Sequence, residues 1–431
     1  MAFRIKIQRC RNLPSAPDVR ELTQSSVRIL GLNNFHSNRL GAAVTLDALS
    51  RDPYPIFQRL REAEPISWID QLEMWYVTRY EHVQQVLADP AKFTTRFESS
   101  TIFDTFGAQM LTSDGSEQRR YRDQFRAAFT PAAIRSTMEA PVRECAAVLV
   151  STIQPNGNAE LRTAFAARLP VLSMLAMFGL PFSEEPRVRH WYDSFEEALA
   201  NFRHVPAIRA NARKNVSEFH ALLQQHIAAI AGKRAGTLLS ELVNKPAPER
   251  LTDEEIKRNL SIVFFGGIST VEALILDSLY ALFTHPAIYC RVCSNHSLIP
   301  AVLEEVMRWV SPVQSAIRHA TTDVELGGVQ IRAGDTVSCM LGAANRDPTV
   351  FPEPDSFNID RHNLRKHLGF AYGPHSCLGL HLARLEARIG LETLLSLLPD
   401  LRPSHDEPLI VEGYEFRQPK QLRVSWPPHT G

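Results

Sequence analysis

The chain has 431 residues, of which 44% are hydrophobic, and its 47 lysines and arginines balance 47 aspartates and glutamates. That length can bury a large core, and the zero net charge excludes a global attraction for nucleic acid or anionic membrane. The six cysteines, at 10, 145, 290, 293, 339 and 377, are scattered without a secreted disulfide framework and fit a reducing, cytoplasmic compartment.

In chain order, residues 1–46 carry seven basic residues against Asp18 and Glu21 and no core pattern. This predicts a poorly ordered N-terminal extension in preference to a targeting peptide. From 47 to 431 no Gly/Ser-rich linker, repeat or low-complexity block divides the chain, so one large domain is expected. Apolar periodicity and cap signals predict helices over 53–63, 80–88, 116–127, 131–152, 160–179, 186–202, 207–232, 253–284, 299–310 and 378–397. Residues 68–77 and 324–337 read as hairpins, the second turning at Gly327-Gly328. The fold class is therefore mainly α with a small β region. Ser269, Thr270, Glu272 and Asp277 interrupt the most apolar helix, so no stretch supplies the ~18 uninterrupted apolar residues of a membrane span.

Within that helix, Phe265-Gly266-Gly267-Ile268-Ser269-Thr270 holds two adjacent glycines. Each weakens an ordinary helix by about 1 kcal/mol relative to alanine, which predicts a local opening. Glu272 lies three residues after Ser269 on the same helical face. Cys290-Arg291-Val292-Cys293, with His296 beyond, has the spacing of metal ligands but no evident fourth partner, so the cysteines read as structural thiols. Glu305-Val306-Met307-Arg308 sets a carboxylate and a guanidinium on one helical face, where they can form a charge-assisted pair.

Cys377 sits in Phe370-Ala371-Tyr372-Gly373-Pro374-His375-Ser376-Cys377-Leu378-Gly379, just before a strongly apolar helical run. Gly373 and Gly379 bracket it where the backbone needs positive φ or close approach to a flat ligand. The amides of the following helix favour an anionic sulfur, so a thiolate is expected.

This decapeptide resembles the haem-binding loop of the cytochrome P-450 monooxygenases, F-G-x-G-x-[HR]-x-C-x-G, and only Ala371 departs from it, in a glycine's place. The resemblance implies the P-450 fold, with haem b buried between a long distal helix and the proximal helix after the cysteine loop. Cys377 would be the iron ligand, with Phe370, Gly373, His375 and Gly379 shaping the loop around it. Glu305 and Arg308 match a structural triad completed by Arg361, in Phe351-Pro352-Glu353-Pro354-Asp355-Ser356-Phe357-Asn358-Ile359-Asp360-Arg361. His375, Arg318 and Arg122 match the family's places for binding the haem propionates, and Gln118 is the fourth candidate, standing where histidine is frequent. Gly266, Gly267, Ser269 and Thr270 match the distal segment, where the family pairs an acid with threonine to deliver protons. Here Ser269 takes the acid's position; a hydroxyl relays a proton but does not titrate near neutral pH. Glu272 is the candidate substitute, against a simpler pairing with a basic residue.

The chain has no G-x-G-x-x-G after a strand, no cysteine cluster for iron and sulfur, and no surplus length for a reductase. Ferredoxin and ferredoxin reductase are accordingly expected in trans, steered to a basic patch drawn from Arg119, Arg120, Arg126, Arg365, Lys366 and Arg384. The implied activity is insertion of one oxygen atom from O2 into a hydrophobic small molecule by a monomeric enzyme. Pocket walls are expected from residues 97–111, 195–202, 264–270, 313–317 and 413–416, mostly apolar, favouring a terpenoid over a steroid or fatty acid. A haem-thiolate peroxygenase or isomerase usually dispenses with the distal threonine, so Thr270 argues against both. A non-catalytic haem sensor needs no distal relay, an alternative Ser269 leaves open.

Overall fold

A computed structural model describes residues 39–427 apart from 98–99, 200, 202–204, 234 and 405–407. Residues 1–38 of the expected extension lie outside the described residues. Residues 39–46, on its side of the boundary at 47, pack against the body. The Leu40 amide donates to Glu64 Oε2 at 2.8 Å, and a Cβ on Gly41 would stand 2.1 Å from the Trp68 carbonyl oxygen.

The elements that position the site are, in order, β1 (Ile66–Ile69), β2 (Met74–Val77), α1 (Tyr80–Ala88), β3 (Phe93–Thr94), α2 (Gly115–Arg126), α3 (Pro131–Ile153), α4 (Leu169–Phe178), α5 (Glu185–Leu199) and α6 (Pro206–Ile230). They continue with α7 (Asp253–Gly266), α8 (Ser269–Thr284), α9 (Ile299–Trp309), β4 (Ser315–Ala320), β5 (Val324–Leu326), β6 (Val329–Ile331), β7 (Thr336–Met340), α10 (Leu380–Leu397), β8 (Val411–Glu412) and β9 (Gln418–Pro419). One sheet runs β1-β2-β7-β4-β3, with β2 and β7 parallel and the other pairs antiparallel. Val337 thus belongs to this sheet, and the expected second hairpin is the shorter β5–β6. Gly327 and Gly328, at φ +53° and +80°, supply its turn.

The helices begin where chemistry lets them. Thr130 accepts from the Ala133 amide ahead of Pro131, and Thr252 with Glu255 forms a reciprocal capping box at the start of α7. The expected helix over 160–179 is broken. The Glu160 carboxylate accepts the amides of Arg162 (3.1 Å), Thr163 (2.9 Å) and Leu422 (2.8 Å), which holds residues 158–160 as a strand. A π-helical turn at Arg162–Ala166 then leads into α4. The expected helix over 253–284 divides into α7 and α8 at the glycine pair. Its composition and length would suit a membrane span, but the apolar stretch is mostly buried inside the body and serves as the central core helix. Short helices at 46–51, 101–106 and 238–243 were not anticipated, since each is too brief for a 3.6-residue period to stand out, and a further one at 286–294 follows directly on α8. The main core gathers α3 to α10, while two smaller clusters fill the sheet end.

Candidate active site

The cysteine loop is closed by its own backbone, with the Cys377 amide donating to the Phe370 carbonyl at 2.8 Å. Gly373 is left-handed (φ +73°), and a Cβ there would stand 2.4 Å from the Leu87 carbonyl oxygen. The positive φ expected of this glycine is thus observed, and its bare Cα also lets the end of α1 pack against it. Gly379, at the N-cap of α10, is the opposite case, because a Cβ would meet no atom within 4 Å. Ala371 holds φ 56° without glycine's freedom. Burial pushes the Cys377 thiol up, against a pull downward from the Gly379 amide, Arg122 and Arg384. The Gly379 amide and the two guanidinium groups are the contacts that favour an anionic sulfur, as expected of a ligand to a cation.

In front of the sulfur lies a largely apolar cavity of about 280 Å³. Cys377, Phe370, Ala371, Leu378 and Gly379 form one wall, while Gly266, Gly267, Thr270, Val271 and Leu274 face them from the broken helix. Val313, Ser315, Ala316 and Leu341 close the side toward the sheet. A Cβ on Gly266 would also meet nothing within 4 Å, so glycines leave both opposed walls bare. A thiol on one wall, two flat apolar faces, and Arg122 and His375 at one edge are the donor set a haem requires, so these residues fit the group.

Of the four residues expected near the propionates, two line the cavity. Arg122 Nη2 donates to the Ser376 carbonyl at 2.5 Å, and His375 Nε2 lies 2.7 Å from Asp114 Oδ1. Gln118 and Arg318 are not among the lining residues. Gln118 Nε2 holds the Pro374 carbonyl at 2.9 Å, and Arg318, buried in β4, donates to the Ile317 carbonyl at 2.8 Å. Their observed contacts are with the loop and the sheet.

Behind the proximal wall Glu305 and Arg308 are fully buried and paired twice, at 2.7 and 2.8 Å. Arg361 Nε reaches Glu305 Oε1 at 3.0 Å, and the Asn358 amide donates to the same oxygen at 2.8 Å. The remaining guanidinium protons go to carbonyls: Arg308 to Asn345, Pro354 and Ser356, and Arg361 to Pro352, Glu353 and Ser356. The network binds α9 to the segment 345–361 with every charge satisfied.

On the distal side Thr270 lines the cavity and its hydroxyl donates to the Gly266 carbonyl at 2.9 Å. Ser269 points away and is buried against Tyr192, whose hydroxyl donates to Ser269 Oγ at 2.5 Å and accepts the Ser269 amide at 3.1 Å. The structure does not bring Glu272 to the cavity and pairs it with a basic residue, the simpler of its two expected roles. The Glu272 carboxylate accepts from Arg162 Nε at 2.6 Å, because the helical turn from 269 to 272 carries it outward toward the π-helical segment. Burial nevertheless leaves the Glu272 carboxyl raised, with Arg162 opposing.

Two groups of residues were missed in the sequence. Asp114 is held down to about 2 by His375 and Thr94 despite burial, so it anchors His375 across 261 positions in sequence. Glu386 of α10 also lines the cavity, fully buried, and neither carboxylate oxygen meets hydrogen-bond geometry with any described residue. Burial pushes its carboxyl well above the ordinary range. Its signal was an acid on the apolar face carrying Leu382, Leu385 and Ile389. Segments 195–199 and 413–416 do not reach the cavity; Phe195 packs edge-on against Phe106 in the core. Phe202 lies outside the described residues.

Of the expected basic patch, Arg119, Arg126, Arg365 and Lys366 are exposed, whereas Arg120 pairs with Glu255 at 2.6 Å and Arg384 with Glu304 at 2.6 Å. Arg135, Arg365, His381, Arg384 and Arg388 line a groove on this face around the buried Glu304. Cys290 and Cys293 are exposed free thiols on the helix 286–294, with Cys293 hydrogen-bonded to the Tyr289 side chain, and among the described residues no cluster of metal-ligating side chains includes them.

The family model described as Cytochrome P450 matches residues 57–419. The biotin biosynthesis cytochrome P450 of Bacillus subtilis is 31% identical over 390 residues, covering 87% of this chain and 96% of that protein. The cytochrome P450 monooxygenase PikC of Streptomyces venezuelae is 33% identical over 363 residues, covering 81% and 85%. Among solved structures, P450BioI in complex with hexadec-9Z-enoic acid ligated acyl carrier protein aligns with TM-score 0.81 and 30% identity, over 88% of this chain and 100% of that one.

Proposed function

The chain belongs to the cytochrome P450 family, and we propose that it is a monooxygenase of hydrophobic small molecules, a terpenoid before a steroid or fatty acid, supplied with electrons by a separate ferredoxin and ferredoxin reductase. The family binds haem b, which when held by a cysteine sulfur supplies the chemistry that splits O2 and transfers one oxygen atom to substrate. The observation that carries the reading is the cavity itself, with Cys377 on one wall and Thr270 on the broken helix opposite.

Each residue has a distinct task. Cys377 is the metal ligand, and the Phe370 carbonyl fixes the loop through its amide. Arg122 and His375 supply positive charge and hydrogen bonds at the cavity edge, His375 being oriented by Asp114. Gly266 leaves the distal wall bare for substrate, while Thr270 keeps a hydroxyl at the break where a proton can be held. Ile262, Val263, Leu111 and Val313 exclude water and favour an apolar ligand. P450BioI is seen with hexadec-9Z-enoic acid on acyl carrier protein, and a Bacillus megaterium cytochrome P450 of TM-score 0.79 and 25% identity is seen with testosterone. These support hydrophobic cargo, which the largely apolar cavity suits, and the terpenoid is the member of that class we favour. Exposed Arg365 and Lys366 beside the basic groove support docking of an acidic electron donor. We read residues 47–431 as the catalytic domain of a cytoplasmic monomer, the free cysteines supporting that compartment.

The reduced, carbon-monoxide-bound difference spectrum tests the centre of this reading. A strongly red-shifted Soret band in the wild type that vanishes in Cys377→Ala is expected, and a histidine-like spectrum in the wild type would overturn it. A panel of terpenes, steroids and fatty acids screened by Soret shift, then by oxygenated product with a surrogate ferredoxin and reductase, tests the substrate class.

A further inference from the structure

Monooxygenation consumes two protons: substrate RH, O2, two protons and two electrons give ROH and water. The electrons come from the external protein donor, but the protons must cross a closed body to the cavity. Among the described residues the cavity's own distal hydroxyl, Thr270, is engaged with the Gly266 carbonyl, and Glu272 is engaged with Arg162 on the far side of the helix.

The break between α7 and α8 is held open by a side chain from another element. In an unbroken helix the Ser269 amide would donate to the Phe265 carbonyl, four residues back. It donates instead to Tyr192 Oη at 3.1 Å, and the Tyr192 ring stacks on Phe265 with centroids 5.6 Å apart. The Tyr192 hydroxyl in turn donates to Ser269 Oγ at 2.5 Å, and Glu196 Oε1, one turn along α5, lies 3.4 Å from the same hydroxyl. Tyr192 is buried, Glu196 is half-buried, and Gly267 and Thr270, on either side of Ser269, both line the cavity. A carboxyl at the rim, a phenol within and a serine at the break therefore form one connected cluster of oxygens, in which Glu196 meets both Tyr192 and Ser269.

We propose that Glu196, Tyr192 and Ser269 are a proton path from solvent to the break in the distal helix, supplying what a carboxylic acid at position 269 would otherwise supply. The proposal rests on the monooxygenase reading. In one passage Glu196 hands its carboxyl proton to Tyr192 as the phenolic proton moves to Ser269. The serine's own proton passes to a water molecule at the break, which becomes hydronium and carries it on, and Glu196 is reprotonated from solvent. No bond other than O–H is made or broken, and the chain returns to its starting charge. Burial raises the Glu196 carboxyl, against the pull of Ser269, Arg162 and Tyr192 and with the push of Asp193, so its acid form persists at higher pH than that of an exposed glutamate. Glu272, paired to Arg162, adds a second negative charge facing the same cluster. Burial also raises the Tyr192 phenol, which makes a concerted hand-over its mode of action instead of a standing phenolate.

Two independent measurements on the full-length protein test the path. The first is the infrared difference between wild type and Glu196→Gln, titrated with pH. A protonated-carboxyl band that belongs to Glu196, persists above the ordinary glutamate range and shifts in Tyr192→Phe is expected. A Glu196 already ionised through that range, or a band indifferent to Tyr192→Phe, overturns the proposal. The second uses the holoenzyme with surrogate ferredoxin, reductase and the compound giving the largest Soret shift. Product per O2 consumed is expected to fall roughly ten- to a hundred-fold in Glu196→Gln, at or below the low end of what a positioned proton donor contributes, with peroxide rising in its place. Glu196→Gln/Tyr192→Phe should be no worse than either single variant, and Ser269→Asp should rescue Glu196→Gln. Unchanged peroxide in both single variants, or multiplicative losses, overturns the path. Wild type that consumes no reductant-dependent O2 instead refutes the monooxygenase reading, and the infrared result still decides whether Glu196 and Tyr192 are coupled.

Discussion

The two walls of the cavity are built by opposite means. The proximal wall is over-determined: Cys377 is fixed by Phe370, His375 by Asp114, and the helix behind it by the fully buried Glu305–Arg308 pair with Arg361. The distal wall is a helix deliberately left incomplete, with two glycines, no backbone bond from Ser269 to Phe265 and a tyrosine hydroxyl in its place. Rigid charge networks suit the side that must hold a metal at one distance, and a weakened helix suits the side where small molecules and protons pass.

If this contrast is right, the largest loss comes from breaking the proximal network. Arg308→Ala leaves Glu305 buried with one partner fewer and removes hydrogen bonds to three carbonyls. Removing one partner of a buried pair costs about 3–5 kcal/mol, which denaturant unfolding would read directly. Arg308→Lys should recover little, because an ammonium cannot span the two Glu305 oxygens and the carbonyls together. A cost below about 1 kcal/mol would show that the network is not what holds this wall.

The distal wall should respond less, and differently at neighbouring positions. A methyl on Gly267 would meet Met174 Sδ at 2.9 Å and the Val263 carbonyl oxygen at 3.2 Å. Overpacking of about 1–3 kcal/mol, set against about 1 kcal/mol of gained helix propensity, leaves Gly267→Ala about 1 kcal/mol less stable. Gly266→Ala meets no atom and should be neutral or stabilised by up to about 1 kcal/mol, yet its methyl enters the cavity and should weaken ligand binding. Thermal unfolding beside a Soret titration separates stability from binding; equal behaviour of the two variants would mean that the break is not packed as described.

Acid should weaken the proximal side. Asp114 and Glu304 are each lowered to about 2, Asp114 by His375 and Thr94, Glu304 by His367 and Arg384, in both cases against burial. Because their folded values lie below the ordinary 3.8 and 4.5, their contribution is present above those values and is lost as pH falls toward about 2. Glu386 and Glu272 run the other way: their carboxyls are raised, so their contribution is present at low pH and is lost as pH rises through their folded values. Asp114→Asn should therefore flatten the acid limb of a melting-temperature profile while leaving its alkaline limb in place. An unchanged acid limb would remove Asp114 from the account.

The fold and the family were legible because their signals are contiguous. The cysteine loop occupies ten consecutive residues, and Glu305 and Arg308 share one turn. What was illegible depends on distance in sequence. The partner of Ser269 is 77 positions away on α5, that of His375 is 261 away, and that of Glu272 is 110 away. Local reasoning put Glu272 on the face of Ser269, which is correct as helix geometry, but could not see that both side chains turn from the cavity toward groups on other elements. The broken helix at 160–179 failed for the same reason: Glu160 caps backbone amides including that of Leu422, a contact no local window contains.

The smallest expected effect probes where the proximal wall carries strain. Ala371 adopts φ 56°, a region that costs a residue with a Cβ about 1–2 kcal/mol. Its amide donates to the Leu368 carbonyl at 2.8 Å, so the turn is held by hydrogen bonding as well as by the loop's closure one residue earlier, at Phe370. Ala371→Gly relieves that cost but gives the unfolded chain more freedom, an opposing term of about 0.5–1 kcal/mol. The net gain should be about 0.5 kcal/mol, with the carbon-monoxide spectrum unmoved because the Phe370–Cys377 bond does not depend on the methyl. Destabilisation instead would show that the Ala371 methyl, which lines the cavity, contributes packing that outweighs its strained backbone, and that this wall fixes its ligand by shape as well as by charge.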